Sequence, residues 1–302
     1  PDDIESVTVL KGGPASALYA SRASNGVIMY TTKKAKSGKT EITLNTGLTM
    51  ESISQMIRLQ NEYGGGVGAT LPKVTINGKS YNVARYNVDE SWGPKYNPSL
   101  LYLPWNAFDP EFANDYLKEI PWVAPQHDVE DFFRMGVTYN NALSLAKSFE
   151  NTNVRVSFAN VKTEGIVPNS KLERSSLGFN MDSKLTDDLK MNGTFNYVIT
   201  NGFNRPEQGY GDNSVFQKFF QWGQRQLDMA ALRDYKMPNG RQRTWNRTSA
   251  TNPTPAYSDN PYWTVYENTS DDRRNRFFGN VGLTYNITKN LYATGNVYGD
   301  TY

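Results

Sequence analysis

Leu177-Gly178-Phe179-Asn180-Met181-Asp182-Ser183-Lys184-Leu185 and Met191-Asn192-Gly193-Thr194-Phe195-Asn196-Tyr197-Val198-Ile199 flank the turn Thr186-Asp187-Asp188-Leu189. Both halves alternate. Leu177, Phe179, Met181, Ser183 and Leu185, then Met191, Gly193, Phe195, Tyr197 and Ile199, share one side. Asn180, Asp182, Lys184, Asn192, Thr194 and Asn196 take the other. A period of two is the signature of a β-strand with two unlike faces. Each segment runs to about ten residues. Strands of soluble domains average about 5–6, whereas a tilted strand crossing a bilayer needs about 9–11.

Five further segments repeat the pattern. They are 40–50 (Ile42, Leu44, Thr46, Leu48, Met50), 136–148 (Val137, Tyr139, Asn141, Leu143, Leu145) and 153–163 (Val154, Val156, Phe158, Asn160). The last two are 276–286 (Phe277, Gly279, Val281, Leu283, Tyr285) and 291–298 (Leu291, Ala293, Gly295, Val297). None of these faces carries a charge. One Lys or Arg on a lipid face costs roughly 2–4 kcal/mol at mid-bilayer, so lipid would select this pattern. A protein core would select it too, and the connections discriminate. Long ones (51–135, 165–174, 201–275) alternate with tight turns near 150–152, 186–189 and 287–290. Outer-membrane barrels keep periplasmic turns short and let extracellular loops grow. The expected fold is therefore an all-β, transmembrane, antiparallel β-barrel with long extracellular loops 51–135 and 201–275.

Composition agrees. No window of 18 apolar residues exists for a membrane helix. A mean hydropathy of −0.64 is compatible with strands that are half polar. The net charge of +2 among 302 residues, without a basic tract, argues against nucleic acid as a partner. Zero Cys removes thiol catalysis and disulfides, and a single His, His127, leaves little for His-based catalysis. Neither a catalytic set nor a cofactor is expected.

Residues 1–39 are organised differently. Ile4–Leu10 reads as a strand, Ala15–Ala20 as a short helix and Val27–Tyr30 as a second strand, with turns at Lys11–Pro14 and Asn25-Gly26. This is the end of a small α/β unit, too short for its own core. Lys33–Lys39 follows as a solvated basic linker. The expected division is 1–39 and 40–302. The strand count is odd, the opening Pro1-Asp2-Asp3-Ile4 is no signal peptide, and an open sheet in lipid leaves unpaired backbone groups. The sequence thus reads as a fragment. At roughly 38 residues per strand, a barrel of about 22 strands needs on the order of 800 residues.

Ile4-Glu5-Ser6-Val7-Thr8-Val9-Leu10-Lys11-Gly12-Gly13-Pro14-Ala15-Ser16-Ala17-Leu18-Tyr19 resembles the end of the plug domain of TonB-dependent outer-membrane receptors. Ser21–Ile28 and Thr31–Lys34 are similar to the SusC/RagA branch, as are Leu59–Gly64, Asp89–Lys95, Glu164–Asn169 and Asp259–Trp263. The resemblance implies import of oligosaccharides or oligopeptides across the outer membrane of Bacteroidetes-type bacteria. It also implies energy from TonB with ExbB/ExbD, and a SusD-like surface lipoprotein acting as a lid. The N-terminal extension and TonB box of that family have no counterpart in these residues.

All six Trp fall in the two long excursions. Trp92 and Trp263 sit in Pro- and Gly-bearing motifs and are expected as loop anchors. Tyr96, Tyr210 and Trp222 are the candidate ligand contacts. Arg22 and Asn25 are candidates for holding the plug against the barrel wall. Tyr139, Tyr197, Tyr285 and Tyr292 suit an interfacial girdle or the lumen. His127 beside Asp128, Glu130 and Asp131 suggests a divalent-metal site or, more plainly, a helix start capped by Asp128; no metal is expected. Gly64-Gly65-Gly66 lacks a following Lys-Ser/Thr and reads as a flexible loop rather than a phosphate cradle.

The rival readings are a siderophore or other TonB-dependent receptor, a passive plugged porin, an outer-membrane hydrolase and a soluble carbohydrate-binding β-protein. The plug-like opening disfavours the porin. The lack of a Ser-His-Asp set disfavours the hydrolase.

Overall fold

The computed structural model describes residues 4–13, 17, 19–23, 25–33 and 40–302, with only the backbone of Arg22 and Thr32. Half of the expected helix 15–20 and all but Lys33 of the linker 33–39 lie outside them. β1 (Ile4–Leu10) pairs antiparallel with β2 (Val27–Thr32), with a 3-10 turn at Ala20–Ala23 between them.

β3 (Thr40–Glu51) is followed by six short strands of the first excursion. These are β4 (Gly66–Val67), β5 (Lys73–Ile76), β6 (Lys79–Asn82), β7 (Ser91–Trp92), β8 (Asn97–Tyr102) and β9 (Ile120–Trp122). Then come β10 (Gly136–Ser148), β11 (Thr152–Glu164), β12 (Lys171–Lys184) and β13 (Leu189–Phe203). The second excursion holds α1 (Val215–Phe220), α2 (Met229–Leu232) and α3 (Pro261–Tyr266). β14 (Asp271–Thr288) and β15 (Leu291–Thr301) close the chain.

β3 and β10–β15 form one antiparallel sheet in the order β15-β14-β13-β12-β11-β10-β3. It is part of a β-barrel wall, and among the described residues no helix is long and apolar enough to cross a membrane. The pairing register carries the uncharged faces across the whole sheet. Leu44 faces Leu143, Leu143 faces Phe158, Phe158 faces Leu177, Leu177 faces Tyr197 and Tyr197 faces Phe277. Among the described residues this face has no second layer. Ile42 is 71% exposed, Leu177 50% and Val297 75%. A contiguous apolar surface of this extent needs a partner other than water.

Several strands run past the alternating segments, toward the end that carries the long connections. The link between β11 and β12 is 165–170 rather than 165–174, because Lys171–Arg174 continue the ladder opposite Val161–Glu164. Their charges break the apolar pattern but not the backbone pairing. Above the apolar band, one outward row reads Lys162, Glu173, Asn201 and Arg273. Charge returns where hydrocarbon would end. Of the girdle candidates, Tyr139, Tyr197 and Tyr285 lie on the apolar face. Tyr292 pairs with Asn286 and so stands on the opposite side.

Candidate functional site

The polar face of the sheet is where the N-terminal hairpin sits. A cavity of about 280 Å³ lies between Glu5 and Lys33 on one side and Glu41, Thr43, Asn45, Ala146, Arg155 and Ser157 on the other. Arg155 and Ser157 are each only 5% exposed, against 39% for Val156 between them and 49% for Phe158 after them, both on the other face. Period-two geometry alone separates these environments. Asn25, expected at this contact, is exposed. The Arg22 side chain lies outside the described residues.

The two excursions and the 165–170 link fold together as one cap. Its principal core combines Trp105, Val129 and Phe132 from the first excursion and Val167 from the link. Val215, Phe219, Leu232, Trp245, Tyr262 and Val265 of the second complete it. Buried charge joins the same parts. Asp109 accepts from Arg243 (Nε–Oδ2 3.0 Å) and Arg247 (Nη1–Oδ1 2.7 Å), with all three side chains at most 3% exposed. Arg243 also reaches Asp115 at 3.1 Å. Arg225 forks onto Asp128 with two bonds of 2.9 Å. Such planar two-point pairs fix orientation as well as distance. The Arg225 guanidinium, aided by the Val129 N–H, holds the Asp128 carboxyl below its ordinary range. Asp128 also caps the 3-10 turn Val129–Phe132. His127 Nδ1 lies 3.2 Å from Asp228, the cap of α2. Among the described residues no three His, Cys, Asp or Glu side chains group as metal ligands.

Sequence reasoning did not find Asp109, Arg243, Arg247 or Arg225. Ion pairs between residues more than 90 positions apart leave no periodic trace. The surprisal of buried Arg is visible only once burial is known.

The candidate ligand contacts are not brought together. Tyr96 packs on Trp122 with ring centres 5.5 Å apart, and its hydroxyl is buried with no hydrogen-bond partner among the described residues. Burial pushes its phenol up. Tyr210 is 77% exposed. Trp222 is half-buried against Tyr257 at 5.6 Å, edge-on. Tyr257 in turn is raised by burial, with Asp89 and Glu90 nearby adding to the effect. Trp263 stacks edge-on with Tyr235 at 6.3 Å. Trp92 differs from the expected anchor: its ring is 67% exposed beside Tyr63 at 5.8 Å, and its backbone in β7 makes the parallel pairing to β4. The Trp rings that do anchor are Trp122 at 0%, Trp245 at 1% and Trp105 at 7% exposed.

At the junction of cap and wall a second cavity, about 310 Å³, is lined by Asn204, Arg205, Glu207, Asn213, Asn268 and Ser270 over a floor of Val167, Val215 and Val265. Arg205 pairs with Asp272 (Nε–Oδ1 2.7 Å) directly over Gly202, where any side chain would strike both partners.

No family model matches the chain. The chain is 30% identical to the TonB-dependent receptor SusC of Bacteroides thetaiotaomicron over 207 residues, 68% of this chain and 16% of SusC. It is 27% identical to TonB-dependent receptor P3 of Formosa agariphila over 193 residues, 63% of this chain and 15% of P3. Among solved structures, the RagAB peptide importer in its open-open state matches with a TM-score of 0.65 at 20% identity, over 99% of this chain and 32% of that one. Its closed-closed state matches with a TM-score of 0.61 at 18% identity, with the same coverage. The chain is a SusC/RagA-like part of a TonB-dependent receptor. It spans less than a fifth of the curated relatives it matches. The similarity is to receptors and transporters, not to enzymes, and TonB-dependent receptors are outer-membrane β-barrels.

Two of the motifs behind the SusC/RagA resemblance, Leu59–Gly64 and Asp89–Lys95, meet in space. Gln60 accepts from the N–H of Glu62 and of Tyr63, both at 2.8 Å, curling Leu59–Gly64 into a tight turn. Gly93 of the Asp89–Lys95 motif donates to Gly64 O at 2.9 Å, and Pro94 O accepts from Trp122 Nε1 at 3.0 Å. Gly64–Gly66, expected as a flexible loop, is buried. A Cβ on Gly64 would collide with the Trp122 ring, and one on Gly93 with the Gly65 carbonyl. These glycines serve close approach rather than motion. In the Asp259–Trp263 motif, Asn260 caps α3 through Tyr262 N–H at 2.9 Å. It also donates to the Leu232 and Arg243 carbonyls at 2.9 and 3.0 Å.

Proposed function

We propose that the complete protein carries out TonB-dependent active import of oligosaccharides or oligopeptides across the bacterial outer membrane, beneath a SusD-like lipoprotein lid. The observation that carries this reading is the two-sided sheet. Its uncharged, largely apolar face meets no second layer among the described residues, and its polar face meets a small folded hairpin. Residues 1–39 are then the end of the plug and 40–302 the start of a barrel of about 22 strands. The short turns lie at the periplasm and the cap outside the cell. Energy coupling runs through TonB, ExbB and ExbD and parts of the protein beyond these residues. Tyr210 and Trp222 are the cap aromatics open to cargo, whereas Tyr96 acts through the packing of Trp122. Arg22 and Asn25 remain candidates for plug contact.

The decisive experiment is growth of the parent bacterium on oligosaccharide or oligopeptide mixtures after deletion of the gene. Uptake should disappear in the deletion strain and on collapse of the proton-motive force. Uptake that survives the protonophore would favour a passive pore, and unchanged growth on every mixture would refute the reading.

A further inference from the structure

The sheet's polar face carries four arginines, and two of them are answered within the chain: Arg276 pairs with Asp300 (Nε–Oδ1 2.9 Å), and Arg155 is engaged and 5% exposed. Arg174 and Arg274 are exposed and, among the described residues, form no ion pair, although the Asp300 carboxylate, forked onto Arg276, lies close enough to Arg274 to feel its charge. Register places them side by side. Arg174 pairs with Thr200, and Thr200 pairs with Arg274, on three adjacent strands. With strands about 4.8 Å apart, their Cα atoms stand roughly 10 Å from each other. The Arg274 guanidinium lies 4.4 Å over the ring of Tyr302, and Arg276 lies 4.8 Å over Phe278. By alternation Tyr298 shares this face, and it is 75% exposed. Directly above lies the polar cavity at the junction of cap and wall, beginning with Asp272 paired to Arg205.

Elsewhere in this chain buried or half-buried guanidinium groups find carboxylates, as Arg225, Arg243 and Arg247 do. Two neighbouring cations without an ion pair of their own, one of them beside an Asp300 already forked onto Arg276, leave a surplus of positive charge on a face turned to the interior of a barrel and offer forked donors to an anion. The flanking rings add flat apolar surface. Building on the import reading, we propose that Arg174 and Arg274 form a carboxylate-binding strip on the lumenal wall. The cargo is then an extended anionic chain, an acidic oligopeptide or a uronate-bearing oligosaccharide. The shared chemistry is a carboxylate beside a surface that can lie on an aromatic ring.

The test is isothermal titration of the full-length receptor in detergent, independent of TonB. The probes are hexaglutamate and oligogalacturonate, against hexaglutamine and maltohexaose. One acidic probe should bind at least roughly tenfold tighter than its neutral counterpart, with affinity falling as salt rises. Whichever acidic probe responds identifies the source of the carboxylate. Arg174→Gln with Arg274→Gln should abolish the preference, and Arg174→Lys with Arg274→Lys should restore part of it. Equal binding of acidic and neutral probes overturns the proposal. So does a glutamine variant that keeps the acidic preference, or one that loses only thermal stability, which would assign both arginines to carboxylates elsewhere in the receptor. If the glutamine variant does not fold, the probe comparison and salt series on the unaltered receptor decide alone. Loss of uptake in cells with acidic binding intact would point to failed import, not to a failed strip.

Discussion

The seven-stranded sheet and the cap are built from the same chain by opposite means. In the sheet, each residue's environment follows from its parity. Leu177 is 50% exposed on one face while Asn180, three positions on, is buried on the other. The cap has no such periodicity. It holds together through a mixed core and through Arg–Asp pairs that bridge its two excursions, with Arg243 fully buried against Asp109. The sheet is a boundary between two solvents and needs almost no core of its own. The cap faces water and must make one.

The comparison is broken most severely at Asp109. Asp109→Ala leaves Arg247 without its carboxylate and strips one from Arg243. Removing one partner of a buried pair costs about 3–5 kcal/mol. The expected outcome is early melting of the cap by tryptophan fluorescence, since every Trp lies in the excursions, with the β-sheet signal in circular dichroism unmoved. A sheet that melts with it would show that the two regions are one cooperative unit.

Next comes Leu177→Arg against Ser176→Arg. The first places a charge on the apolar face and should cost roughly 2–4 kcal/mol in a bilayer near the midplane. The second lies on the polar face and should cost far less. Refolding yield in lipid vesicles checks both, and equal yields would deny that hydrocarbon meets the Leu177 side.

The smallest effect is acid sensitivity. Asp128 is held below its ordinary value of 3.8 by Arg225, so the folded cap binds that proton less readily than the unfolded chain. Its stabilisation is present above that value and fades as pH falls through the lower folded one. Acid melting of the cap below about pH 4 should therefore flatten in Asp128→Asn, read by the same fluorescence.

The strands, their faces and their register were legible because alternation is local and every strand repeats it. Leu177 opposite Tyr197 follows once the turn Thr186–Leu189 is recognised. The site was less legible. Trp92 and Trp122 look alike in sequence, yet one is 67% exposed and the other fully buried. Gly64–Gly66 reads as a loose loop, and only the ring of Trp122 pressed against it reveals a close-packed turn. Arg174 and Arg274 are separated by 100 positions and become neighbours only through the register of β12, β13 and β14.

The amino-acid order by itself determined which residues face apolar surroundings, because a strand's side chains alternate whatever else the chain does. It also carried the motifs of the SusC/RagA branch. Tertiary structure alone decided that two excursions separated by four strands share one core, which arginines are paired and which are left open, and which tryptophans anchor. Those outcomes rest on contacts between distant segments, and such contacts are set by three-dimensional packing rather than by any local period.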